Sequence, residues 1–193
     1  NEAYFAHTLG LKVVFCSNPT DAYWMIQQAI ESDDPVIFFE PKRRYHERGE
    51  VDLDLAPTLD LYSARTVREG TDVTIACYGP MVKTCLDAAA VAADEGRSLE
   101  VIDLRSVSPL DIDALAGSVT KTGRLVVVHE ASSFAGFGAE IAAEVTERCF
   151  HSLEAPVLRV TGWNAPYPPS KLEEHFLPDL DRILAGVDRS LAY

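Results

Sequence analysis

The alternation of apolar and polar positions is regular in two parts of the chain and absent from the stretch between them. The clearest unit lies at 124–148. Residues 125–128 are a continuous apolar run, the pattern of a strand covered on both faces. His129 and Glu130 bring polar groups to its carboxyl end, and 131–138 is too rich in Ser, Ala and Gly to continue a strand. From Gly138 the period becomes helical. Ile141, Ala142, Val145 and Cys149 share one face, and Glu140, Glu144, Glu147 and Arg148 the other. In open α/β sheets ligands and partners meet the carboxyl ends of strands, so this junction is the first place to look for function.

Before it, 1–7 reads as the last turns of a helix, 12–16 as a short strand and 36–39 as a second. Between them Asn18, Pro19 and Asp21 supply a cap, a first-turn proline and a first-turn acid. Ala22, Met25, Ile26, Ala29 and Ile30 then form one apolar stripe. About 45 residues are near the lower limit for an independent core, so this portion reads as the tail of a larger domain. Periodicity is lost over 47–69, as in a linker lying on a surface. It returns with strands expected at 73–76, 99–104 and 157–161 and helices at 80–95, 138–148, 171–175 and 178–191. A further helix is expected to start from the cap-and-proline pattern Ser108-Pro109-Leu110-Asp111. This alternation predicts an α/β, mainly parallel, doubly wound sheet flanked by helices.

Composition narrows the function. Of 193 residues 47% are hydrophobic and 24% charged, which suits a core-forming domain, and the net charge of −13 with no basic face argues against nucleic acid. Cys16, Cys77, Cys85 and Cys149 are far apart in apolar segments, without CxxC spacing, and read as core thiols. No apolar run approaches the roughly 20 residues of a membrane span.

Self-contained catalytic machinery is not evident, since GxSxG, HExxH and P-loop patterns are missing and the histidines lack metal-ligand spacing. Gly136-Phe137-Gly138 offers backbone N–H groups to an anion, or a tight turn that lets the helix pack closely. His129 and Glu130 are an acid–base pair by type, but neighbours in a strand point to opposite faces, which favours a buried hydrogen-bonding histidine. The helix end at Ala29, with Ser32 and Asp34 beside it, offers oxygen ligands to a monovalent cation, or simply a solvated cap. The loop Trp163-Asn164-Ala165-Pro166-Tyr167 has the composition of an interface, or of a rigid turn around a packed Trp.

Five runs, in order, carry a resemblance: FAHTxGLKVV from Phe5, DDPVIFFEPK from Asp33, REGTDVT from Arg68, EVIDLRxxSPLD from Glu100, and VVHE with GFGAEI from Val127. Together they resemble the beta subunit of a thiamine-diphosphate-dependent 2-oxoacid dehydrogenase, and FFEPK resembles the branched-chain type more than the pyruvate type. The resemblance implies that 1–46 closes a pyrimidine-binding domain, 47–69 is a linker, and 70–193 is a transketolase C-terminal-like domain. It implies decarboxylation of a 2-oxoacid with thiamine diphosphate and magnesium, then acylation of a lipoyl group. The family's activating Glu and substrate-side His would precede residue 1, so no catalytic residue is assigned.

Implied partners are an alpha subunit, a second beta subunit and the dihydrolipoyl acyltransferase core, in the cytoplasm or, in a eukaryote, the mitochondrial matrix. The family's potassium site matches Ala29, Ser32 and Asp34, the last two departing from its usual Asp and Asn. Its partner-binding positions match Asn164, where the family usually has Asp, and the carboxyl-terminal Tyr193. Two other classes stay open: a non-catalytic interaction module, and a flavodoxin-like nucleotide binder built on the Gly136 turn.

Overall fold

In the computed structural model, which describes residues 2–54 and 58–193, the chain builds two sheets. Asn1 of the expected first helix and Pro57 of the expected linker lie outside the described residues. The larger sheet has the order β3-β5-β4-β7-β8, with β3 Arg65–Arg68, β4 Val73–Cys77, β5 Leu99–Asp103, β7 Leu125–Ser132 and β8 Leu158–Gly162. The last four named are mutually parallel, and β3 is an antiparallel edge. Helices α3 (Met81–Asp94) and α7 (Leu180–Leu191) cover one face, closing a core around Ile75, Val101, Val126 and Ile183. Helices α4 (Ile112–Thr122) and α5 (Gly138–Cys149) cover the other around Ile102, Leu115, Val127 and Ile141. Every residue of β4 and β5 is buried, which is why these strands carry no polar alternation. Gly96 and Gly123 sit at the ends of α3 and α4 with φ of 81° and 70°, the left-handed geometry that a side chain would resist.

The smaller sheet joins β1 (Lys12–Phe15) to β2 (Val36–Phe39) in parallel and to β6 (Ser106–Ser108) antiparallel. A short helix α1 (Glu2–Ala6) precedes it, and α2 (Pro19–Glu31) connects β1 to β2. Asn18 caps α2 through a 2.9 Å bond from the Asp21 N–H, as the sequence pattern predicts. Val13 and Phe15 enter the same core as Ala76, Ile102 and Leu104, so the amino-terminal strands pack onto the second sheet.

The structure departs from the expectation at Ser108. Ser106–Ser108 is strand, the Ser108 hydroxyl donates to the Leu11 carbonyl at 3.2 Å, and Asp111 caps α4 by accepting from the Ala114 N–H at 3.2 Å. Polar serines hid a strand too short to show alternation. Likewise Arg65–Arg68 is a strand inside the stretch without periodicity; as a half-exposed edge it has little need of apolar residues. Strand β7 also runs on past Glu130 to Ser132 across a shift in register, despite its small polar residues.

The chain passes from one sheet to the other at Arg105, a buried residue with φ of 55°. Its guanidinium donates to the Ser63 and Asp60 carbonyls at 2.7 and 2.9 Å. Beside it Asp103, fully buried, accepts from the Ser17 hydroxyl at 2.6 Å and the Arg105 N–H at 3.1 Å. Arg65 forks onto Asp21 at 2.6 and 3.2 Å and reaches Asp103 at 3.6 Å. Two carboxylates and two guanidiniums drawn from three segments (α2, β3 and the end of β5 with the crossover after it) thus fix where the sheets meet. Sequence reading took Asp21 only as a first-turn acid and missed the rest.

Candidate assembly surface

The junction singled out by pattern, at the end of β7, is built for packing. His129 is fully buried. Its Nε2 accepts from the Gly138 N–H at 3.2 Å, so the neutral ring carries its proton on Nδ1. Burial pushes the imidazole's pKa down, which keeps the ring neutral. A Cβ on Gly138 would stand 2.6 Å from Nε2, and one on Gly136 2.2 Å from the Ser132 carbonyl. Both glycines therefore let the start of α5 close onto the histidine. Tyr78 stacks on the other side, 6.1 Å away, and its hydroxyl donates to Glu2 at 2.8 Å. Glu130 points elsewhere and pairs with Arg43 at 3.2 Å, while burial raises its pKa. Of the alternatives for His129 and Glu130, the diverging one holds.

Beyond this packed junction two loops make one surface. Asn164 Oδ1 accepts from the Ser133 hydroxyl and from the Phe134 N–H, each at 3.0 Å, tying the loop after β7 to the loop after β8. A shallow cavity of about 440 Å³ lies against Ser132, Phe134, Asn164, Ala165 and Pro166. Around it Phe134 is 82% exposed, Trp163 55% and Tyr167 56%. Isolated exposed aromatics are ordinary; several on one tied pair of loops are the composition of an interface core. Tyr193 is also exposed but lies at the other end of the sheet. The start of α7 reaches Thr161 at the end of β8 through Arg182, and its last turn accepts from Arg124 at the beginning of β7. Asn164 and Tyr193 therefore do not converge.

Ala29 lies in the last turn of α2, and Ser32 follows the helix as its cap. The Ser32 hydroxyl lies 3.3 Å from the Tyr62 hydroxyl and accepts from the Asp34 N–H at 3.2 Å. The Asp34 carboxylate lies 3.5 Å from the Lys12 ammonium. Carbonyl, hydroxyl and carboxylate oxygens are hard donors of the type a monovalent cation takes, and Lys12 occupies the Asp34 carboxylate here. Among the described residues no group of three or more His, Cys, Asp or Glu side chains is arranged to hold a metal ion. The described residues do not fit the diphosphate of a thiamine cofactor. The helix start nearest the strand ends gives its first N–H to His129, and its neighbouring glycines are filled by packing. A cleft of about 530 Å³ at the ends of β1 and β2 is lined by Tyr23, Ile26, Pro41 and Val51, with Arg44 ion-paired to Glu47. No helix among the described residues is long and apolar enough to cross a membrane.

A doubly wound sheet with β3 as its antiparallel edge, carrying tied loops at its carboxyl end, defines the class. Residues 63–183 match the family described as "Transketolase, C-terminal domain", and the chain belongs to it. The fold agrees with that of a split-gene transketolase, an inactive beta4 tetramer, at a TM-score of 0.78 and 23% identity over 99% of this chain and 60% of that one.

Over its length the chain is similar to beta subunits of 2-oxoacid dehydrogenases, which bears out the resemblance read from its motifs. It is 60% identical to the pyruvate dehydrogenase E1 component subunit beta of Leifsonia xyli, over 100% of this chain and 57% of that protein. It is 51% identical to the 3-methyl-2-oxobutanoate dehydrogenase subunit beta of Mycobacterium tuberculosis, over 98% of this chain and 55% of that protein. To the 2-oxoisovalerate dehydrogenase subunit beta of Pseudomonas aeruginosa it is 43% identical, over 97% and 57%. The chain spans just over half the length of these relatives.

Proposed function

We propose that this chain is part of the beta subunit of a branched-chain 2-oxoacid dehydrogenase, and that its own contribution is assembly and anchoring of the acyltransferase. The carrying observation is its end-to-end similarity to beta subunits that bear such names. In this reading the whole enzyme decarboxylates a branched 2-oxoacid with thiamine diphosphate and magnesium and acylates a lipoyl group, and this chain joins an alpha subunit and a second beta subunit. Thiamine diphosphate is held by residues other than those described. The enzyme works in the cytoplasm, or in the mitochondrial matrix of a eukaryote. A potassium ion is held by Ala29, Ser32 and Asp34. Residues 1–46 close a pyrimidine-binding domain, 47–69 connect it, and 70–193 form the C-terminal domain, so limited proteolysis should cut first within 47–64. First cuts inside 70–193 would contradict that division.

The 193-residue chain alone should not decarboxylate 2-oxoacids, yet should be retained by the alpha subunit or by the acyltransferase's subunit-binding domain in a pull-down. Turnover by the chain alone, or retention by neither, would refute the assembly reading. The second reading is a pyruvate-type enzyme, favoured by the 60% identity to the Leifsonia protein. Comparing kcat/KM for 3-methyl-2-oxobutanoate and pyruvate in the complete alpha–beta enzyme decides between them.

A further inference from the structure

We propose that Arg182, near the start of α7, is the positioning residue of the assembly surface, an inference that rests on the assembly reading and names how its loop is held. Its guanidinium donates to the carbonyls of Leu177 at 3.1 Å, Phe176 at 3.4 Å and Thr161, and lies 4.3 Å over the ring of Trp163. One planar cation thus gathers the end of β8, the turn before α7 and the first aromatic of the loop. Such a multidentate fork with a stacked ring is a task for Arg and not for Lys.

The surrounding contacts aim the loop the same way. The Trp163 indole N–H donates to the His175 carbonyl at 2.9 Å, and Tyr167 packs edge-on against Phe176 at 5.2 Å while its hydroxyl bonds Glu173. Gly162 sits where a Cβ would lie 2.2 Å from the Glu130 carbonyl, so the strand end is pressed against β7. Trp163 and Asn164 therefore leave the sheet in one direction. Asn164 then fixes Phe134, and the fork beneath sets the whole aromatic group. Preorganisation of this kind lowers the ordering cost that a partner would otherwise meet.

The test uses Arg182→Lys and Arg182→Ala in the full chain carrying Trp24→Phe, so that Trp163 is the sole tryptophan emitter. Both variants should shift Trp163 emission to the red and weaken binding of the acyltransferase's subunit-binding domain by about tenfold, Lys failing to rescue despite its charge. Far-ultraviolet dichroism unchanged in the Lys variant separates this from loss of fold. Emission and affinity within twofold of the parent in Arg182→Lys would overturn the proposal. If the parent chain binds neither this domain nor the alpha subunit, the assembly reading fails, and the emission shift alone still decides whether Arg182 sets the loop.

Discussion

Replacing Asp103 by Asn tests the polar cluster at the crossover between sheets. The carboxyl is fully buried and faces Ser17, Asp21, Arg65 and Arg105. Burial pushes it up to about 6 from 3.8, with Asp21 adding to the rise and Ser17, Arg65 and the Arg105 N–H opposing it. A raised carboxyl binds its proton more tightly in the fold than in the unfolded chain. Its contribution to stability is therefore greatest below pH 3.8, declines as pH climbs toward 6, and is constant above that. At 1.36 kcal/mol per pH unit the loss is about 3 kcal/mol. Asn mimics the protonated acid in shape and keeps an acceptor for Ser17. Urea unfolding of both proteins between pH 4 and 8 cancels the other carboxylates. The parent's stability relative to the variant should fall by about 2 kcal/mol across that range, since part of the loss already lies below pH 4. A difference that is flat with pH, or that grows in the parent's favour as pH rises, would show that the two guanidiniums outweigh burial and refute the reasoning.

Arg105→Ala should destabilise the chain by roughly 3–5 kcal/mol in the same urea assay, because a buried cation is removed from Asp21, Asp103 and two loop carbonyls; a cost below about 1 kcal/mol would show the cluster is dispensable. Gly138→Ala should cost roughly 1–3 kcal/mol through the 2.6 Å approach of its Cβ to His129, and a neutral outcome would mean α5 can move away freely. Potassium chloride should raise the thermal midpoint over choline chloride, by roughly 2–4 °C for each kcal/mol of binding, and Asp34→Ala should abolish the difference. Equal midpoints in the two salts would remove the ion from the Ala29–Ser32–Asp34 site.

The legible parts of the fold were those whose burial is uniform. The first half of β7 is covered on both faces, so its apolar run alone located it. β4 and β5, equally buried, were found from largely apolar stretches despite Thr74, Glu100 and Asp103, and α2, α3 and α5 showed their stripes. β3 and β6 were not legible, because an edge strand and a three-residue strand are stabilised by partners distant in sequence. The crossover cluster was hidden for the same reason. Ser17 meets Asp103 across 86 positions, and no local pattern records such a pairing. His129 was legible in part: its place at a strand end gave the orientation, but only geometry reveals that Gly138 is small for its sake.

The loop at 163–167, read from its composition as an interface or a rigid turn, is exposed at Trp163 and Tyr167, and Asn164 stands where the resemblance expects an Asp. Resemblance suggested a position that, as Asp, offers charge to a basic neighbour. Here the side-chain oxygen accepts from the Phe134 N–H and the Ser133 hydroxyl, so it already serves the chain itself. A backbone N–H can only donate, which fixes the amide oxygen as the atom facing Phe134. What this face exposes is a neutral amide beside Phe134, Trp163 and Tyr167, not an anion. An arginine-led contact of the kind an Asp would favour has no charge to answer it at this position.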